Sequence, residues 1–300
     1  MIEGQEGVTW SQWCALARTC EQAGLDGLFR SDHYLSVMGF EDRGCLDAWA
    51  TLAGLAAVTE RIRLGTMVSP VTFRHPSELA KVVATVDHIS GGRVELGLGA
   101  GWNEDEHAAY GFEFPEIGER FDILAEQLEI VKTKWTEEEF DFDGDHYRLE
   151  GCFAEPKPVQ RPHPPLIMGG AAGPRALALA ADFADEYNVI FVTAERAAEV
   201  RAALPEHVRL SYMTGCVVGK NRSELIDRVR ARLRATGEEA DPVRWIIERA
   251  EGRLIGTLDE VATKLKEYAD AGVERVYLQH LAHEDVQMVR LLGELAEAVG

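Results

Sequence analysis

The sequence predicts an α/β fold: a (β/α)8 TIM barrel with a truncated first strand and an insertion at about residues 136–165, in one domain over 1–300. Short apolar, β-rich runs alternate with longer helical patterns to the C-terminus, the signature of successive βαβ units on a parallel sheet. A length of 300 residues, 46% of them hydrophobic, suits a barrel of this kind as a single domain. No internal repeat or low-complexity linker interrupts the series.

Ser11 to Ala23 has helical periodicity and stops at Gly24, where a glycine can take the left-handed cap conformation. Leu28, Phe29 and Arg30 then form the second strand and run into Ser31-Asp32-His33. Asp47 to Thr59 reads as a helix, Ile62 to Val68 as the third strand, and Glu78 to Ile89 as the next helix, closed by the turn Ser90-Gly91-Gly92. Val94 to Gly99 is apolar enough to be buried on both faces, and Glu119 to Trp135 is amphipathic. The acidic, aromatic and proline-containing stretch from Thr136 to Pro165 is too long for an ordinary connection and reads as the insertion, with a hairpin turning at Asp143-Gly144. Strands follow at Leu166 to Met168, Tyr187 to Val192, Leu210 to Val218 and Val276 to Gln279, with helices at Arg175 to Ala184 and Ser223 to Ala235. At the start only Met1-Ile2-Glu3 and a polar loop precede the first helix. The first strand is therefore expected to be incomplete, with its true beginning upstream of Met1 and Glu3 at its C-terminal end.

Charge and cysteine usage narrow the partners. A net charge of −20 repels nucleic acid and anionic membrane faces and favours a small-molecule substrate. Cys14, Cys20, Cys45, Cys152 and Cys216 are scattered and odd in number, which argues against disulfides and a zinc site and for a reducing cytoplasm. No export signal or membrane span is expected. With neither HxH nor HExxH spacing, no metal site is expected.

Several segments could carry chemistry at the barrel's catalytic mouth. Asp32-His33 ends a strand, and a histidine beside a carboxylate is a usable general acid or base; a plain surface pair is the other reading. Gly65 to Pro70 and Gly97-Leu98-Gly99-Ala100-Gly101 end the next two strands, either as structural turns or as backbone that a ligand approaches closely. Gly169 to Arg175 is a glycine-rich turn running into a helix, a phosphate cradle or a tight turn, without the GK[ST] ending of an NTPase. His280 follows the last strand and is expected to line the substrate pocket, whereas His88 is expected on the opposite, stability face. Trp10, Trp13, Trp49 and Trp135 read as packing residues.

Taken together, Ser31-Asp32-His33, Leu64-Gly65-Thr66, Phe73-Arg74-His75-Pro76, Asp87 to Arg93 and Gly97 to Trp102 resemble the luciferase-like monooxygenase family in order and spacing. The resemblance runs from the first helix through Gly256-Thr257 to Leu278-Gln279-His280, and Leu64 to Trp102 is its most specific part. It implies a homodimeric barrel that binds FMN or the deazaflavin coenzyme F-420 at its C-terminal face. In the deazaflavin branch, Asp32 would touch the cofactor and His33 would move the substrate's proton. A non-prolyl cis peptide would fall at Met67-Val68. Ala100, Gly101 and the turn of Gly170, Ala171, Ala172 and Gly173 would meet the cofactor's chain and phosphate. Glu3, Trp102 and His280 are the expected substrate contacts.

The sugar-phosphate dehydrogenases of that branch carry a glutamate where this chain has Trp102 and a tryptophan where it has Val37, which sets the chain apart from that substrate class. The cradle lacks the serine frequent in FMN monooxygenases, which favours deazaflavin. The expected activity is hydride transfer between deazaflavin and an organic substrate. The alternative is an FMN-dependent monooxygenase supplied by a partner flavin reductase.

Overall fold

The computed structural model describes residues 1–250 and 253–299. In chain order its elements are α1 (Trp10–Gln22), β1 (Gly27–Arg30), α2 (Ala48–Val58), β2 (Arg63–Thr66), β3 (Ser69–Pro70), α3 (Pro76–Ser90), β4 (Val94–Gly99), α4 (Glu104–Tyr110) and α5 (Ile117–Thr136). The second half runs through β5 (Glu139–Asp143), β6 (Arg148–Phe153), β7 (Leu166–Gly169), α6 (Pro174–Phe183), β8 (Glu186–Ile190), α7 (Ala194–Ala203) and β9 (Arg209–Gly219). It ends with α8 (Arg222–Thr236), α9 (Pro242–Arg249), β10 (Leu254–Thr257), α10 (Leu258–Asp270), β11 (Arg275–Gln279) and α11 (Val286–Val299).

Parallel pairing runs β1-β2-β4-β7-β8-β9, and β11 joins the first half of β9 through Ser211 to Gly215. The ring closes through the first residues. The Met1 amino group donates to Leu278 O and His280 N to Met1 O, while Ile2 bridges Arg30 in parallel. The thin first strand expected from the sequence is thus a single bridge in the first slot of a closed cylinder. The far half of β9, Cys216 to Gly219, leaves the ring and pairs with β10 over a satellite core that includes Val229, Trp245, Leu254 and Leu292.

Local signals explain the boundaries. His75 caps α3, Pro76 opens it, and Gly91 at φ 68° ends it in the left-handed conformation. All six residues of β4 are buried, as a strand sandwiched between helices and barrel interior must be. In the insertion, β5 and β6 form an antiparallel hairpin that turns from Gly144 N to Tyr147 O and is anchored when Glu126 accepts the amides of Asp145, His146 and Tyr147.

At the N-terminal end of the barrel, Asp87 accepts the amides of Val159 and Gln160, and Arg93 donates to the carbonyls of Ala56, Thr59, Ile62 and Ser90. The Asp87 to Arg93 motif is therefore structural. His88 is exposed and bonded to Lys157 O. Trp13, Trp49 and Trp135 are buried, whereas Trp10 is 43% exposed and packs one side of its ring against Gly54 of α2. Among the described residues no helix is long and apolar enough to cross a membrane.

Candidate active site

The segments marked by the sequence leave the C-terminal ends of neighbouring parallel strands: Asp32-His33 after β1, Met67-Val68 after β2, Ala100-Gly101-Trp102 after β4, and Gly170 to Gly173 after β7. One rim carries all four, at the end where barrel enzymes keep their chemistry.

The Met67-Val68 peptide is cis. Val68 turns its side chain over β4 and β7: a Cβ at Gly97 would lie 3.0 Å from Val68 Cγ1, and one at Gly99 would lie 2.8 Å from Cγ2. Gly99 therefore makes room for Val68, while at Gly97 a Cβ would first strike the Thr66 carbonyl of β2; both are steric reasons distinct from the close ligand approach expected of them. Below this wall Met67 packs with Phe29, Ile167 and Tyr277 as an apolar plug. Gly101 takes φ 78°, and a Cβ there would meet Pro70 at 3.2 Å, so the turn admits only glycine without a shift.

His33 faces the mouth with its side chain 15% exposed, and its Nδ1 lies 2.8 Å from Glu106 Oε2. Glu106, on α4, is fully buried; its Oε1 accepts the amides of Tyr34 and, at 3.0 Å, Leu35. Burial disfavours the imidazolium, but the Glu106 hydrogen bond and the charges of Glu106, Glu3 and Asp32 outweigh it, so His33 titrates above its ordinary value. Glu106 shows the mirror effect: burial pushes its carboxyl up, but His33 and the two amides hold it below the usual range. Trp102, 65% exposed, stands edge-on to the His33 ring at 5.5 Å.

Asp32 is 1% exposed and already engaged. Ser69 Oγ donates to it at 2.6 Å, and Arg74 donates through Nη1 at 2.5 Å and Nη2 at 3.2 Å. Arg74 also reaches Asp47 at 2.8 Å and the Tyr34 hydroxyl at 3.2 Å. Glu3 is buried beside the mouth and accepts from Gln5 at 2.8 Å and Gln279 at 2.6 Å.

His280 does not line the pocket as expected. It is 3% exposed, its Nε2 lies 3.1 Å from Asp285 O, and burial drives its pKa down to about 4. Sequence reasoning passed over Glu106, Ser69 and Arg74 as functional partners. For Glu106 the available signal was the acidic opening of a short helix directly after the glycine turn, which offers Glu104, Asp105 and Glu106 alike until packing buries one of them.

At the fourth segment, Gly173 is the N-cap of α6 with no side chain capping it and Pro174 at the first turn. A Cβ on Gly173 would meet nothing within 4 Å, and one on Gly170 only the Tyr187 hydroxyl at 3.7 Å. Ala172, at φ 53°, donates its amide to Tyr187 Oη at 3.0 Å, so Tyr187 braces the turn from behind and leaves its front open. Amides at an open helix N-terminus suit an anionic group.

Fold and rim together define a parallel barrel whose C-terminal mouth gathers the chemistry-bearing segments. The family follows from comparison: a family model described as luciferase-like monooxygenase matches residues 2–275, and the chain belongs to that family. An F-420-dependent glucose-6-phosphate dehydrogenase of Microbacterium testaceum (strain StLB037) is 30% identical over 312 residues, covering 91% of this chain and 88% of that protein. That likeness supports the F-420 branch of the family. An uncharacterized protein of Mycobacterium tuberculosis (strain ATCC 25618 / H37Rv) is 44% identical over 126 residues, so the match spans 42% of this chain and 43% of that relative's length. The crystal structure of the monooxygenase RslO1 from Streptomyces bottropensis has a TM-score of 0.81 at 23% identity, covering 99% of this chain and 95% of that chain, a likeness of fold.

Proposed function

We propose that this chain is a coenzyme F-420-dependent oxidoreductase that transfers a hydride to or from a small organic substrate, with His33 as the proton partner. The observation that carries the reading is the His33 imidazole at the mouth, held by buried Glu106 and flanked by Trp102. The residues fit such a cofactor. Val68 over the glycines of β4 offers a shaped wall for a flat ring, and the Gly170 to Gly173 turn offers open amides for a phosphate.

When bound, the deazaflavin supplies the hydride chemistry. The chain's own residues orient and protonate. Ala100, Gly101 and the cradle hold the cofactor's chain and phosphate. Asp32, buried with both carboxylate oxygens engaged by Arg74 and Ser69, keeps a compensated charge next to His33. His33 Nε2 gives or takes the substrate's proton, while Trp102 and Glu3 shape the pocket and exclude water. His280, buried and bonded to Asp285 O, is given no substrate contact in this reading. A homodimer and a cytoplasmic setting, with five free cysteines, complete the proposal.

Titration of the purified protein with each cofactor, followed by absorbance and fluorescence, tests it. F-420 is expected to bind and FMN to bind weakly. Tight FMN binding with no response to F-420 overturns the assignment in favour of an FMN-dependent monooxygenase served by a reductase.

A further inference from the structure

We infer that Glu106 is the positioning residue of this site: its carboxylate fixes His33 with the proton on Nδ1 and so leaves Nε2 as the atom that exchanges protons at the mouth. The inference rests on the reading of His33 as proton partner but concerns the free protein. A carboxylate with two oxygens can only accept. Glu106 faces three nitrogens, His33 Nδ1, Tyr34 N and Leu35 N, and the two amides are donors under any condition. The third must therefore also donate, which puts a hydrogen on Nδ1 in the neutral ring as well as in the imidazolium. Among the described residues none bonds Nε2. As an acid, Nε2–H breaks and its proton passes to the substrate, leaving the neutral ring protonated on Nδ1; as a base, the same bond re-forms.

The surroundings hold this arrangement from several sides. Glu106 comes from α4, Glu3 from the first segment, and Asp32 precedes His33 in the chain with Arg74 upon it. The Cys45 thiol donates to His33 O at 2.8 Å, and the Trp102 ring edge closes the remaining side. Because Glu106 also accepts the two amides that follow His33, it sets the backbone and the ring through one group.

Glu106→Gln tests this at nearly constant shape. An amide has one oxygen. If that oxygen stays with the two backbone donors, its NH2 faces Nδ1 and forces the ring to accept there, moving the neutral proton to Nε2. NMR of the imidazole nitrogens in cofactor-free protein reads this directly. The wild type is expected to show the Nδ1–H tautomer, and Glu106→Gln the Nε2–H tautomer with a lower His33 pKa. In the F-420-loaded enzyme, kcat/KM is expected to fall roughly 10²–10⁴-fold with cofactor affinity unchanged, partly restored by Glu106→Asp. A wild-type ring protonated on Nε2 overturns the inference without any variant. So does a Glu106→Gln protein that melts lower yet keeps the His33 tautomer and pKa, since that marks a merely structural carboxylate. Neither result depends on which cofactor binds, so failure here and failure of the F-420 reading are distinguishable.

Discussion

Replacing Asp32 by alanine separates two roles that coincide at one carboxylate, contact with a cofactor and neutralisation of a buried arginine. The Asp32 side chain is 1% exposed and that of Arg74 10%, so their ion pair is largely out of water. Removing one partner of such a pair leaves a buried charge uncompensated and costs roughly 3–5 kcal/mol. Arg74 keeps Asp47 at 2.8 Å, but the Asp47 side chain is 41% exposed and screened by solvent, which places the loss near the lower end, about 3 kcal/mol. In a chain of 300 residues that corresponds to a fall in Tm of roughly 5 °C. The assay is thermal and urea unfolding of cofactor-free protein for Asp32→Ala, Arg74→Leu and the double variant. Because the two side chains touch, the double variant should lose less than the sum of the singles by at least about 1 kcal/mol. In a chain of net charge −20, deleting an unpaired acid would leave Tm unchanged or raise it. That outcome for Asp32→Ala, with additive singles, refutes the ion-pair reasoning.

Gly173→Asp supplies the side-chain cap that α6 lacks and should raise stability by a few tenths of a kcal/mol, yet weaken cofactor binding about tenfold or more by placing a carboxylate where the phosphate would sit; unchanged affinity would remove the cradle from the site. His280 is buried neutral, so its folded-state pKa lies below its unfolded value. The stability it contributes is present above about pH 6.5 and lost as pH falls toward about 4. By pH 5 the loss is roughly 2 kcal/mol, and His280→Gln, which keeps a donor for Asp285 O but does not titrate, should be less acid-sensitive in urea melts by that amount.

The barrel was legible because its signals are local. β4 matches its expected bounds, β1 and β7 lie within a residue of theirs, and the hairpin turns where Asp143-Gly144 indicated. The short α4 was missed, since seven residues give too little periodicity to read. β10 was missed because, among the described residues, it pairs with the extension of β9, a pairing set by tertiary contact. His280 was misplaced because strand alternation gives the side of the sheet, while the bond to Asp285 O that turns this ring inward depends on the loop after β11.

The order of motifs along the chain was enough to establish the family, the barrel and the four rim segments, because each is a short run whose backbone preferences act within a few residues. The residues that complete the site come from elsewhere in the chain. Glu106 meets His33 across 73 residues and Arg74 meets Asp32 across 42, and one of three adjacent acids becomes a partner only when packing buries it and presents donors to it. Side-chain chemistry could be listed from the sequence, but the state of each group, paired or free and protonated on which nitrogen, was decided by distance and burial in the folded chain.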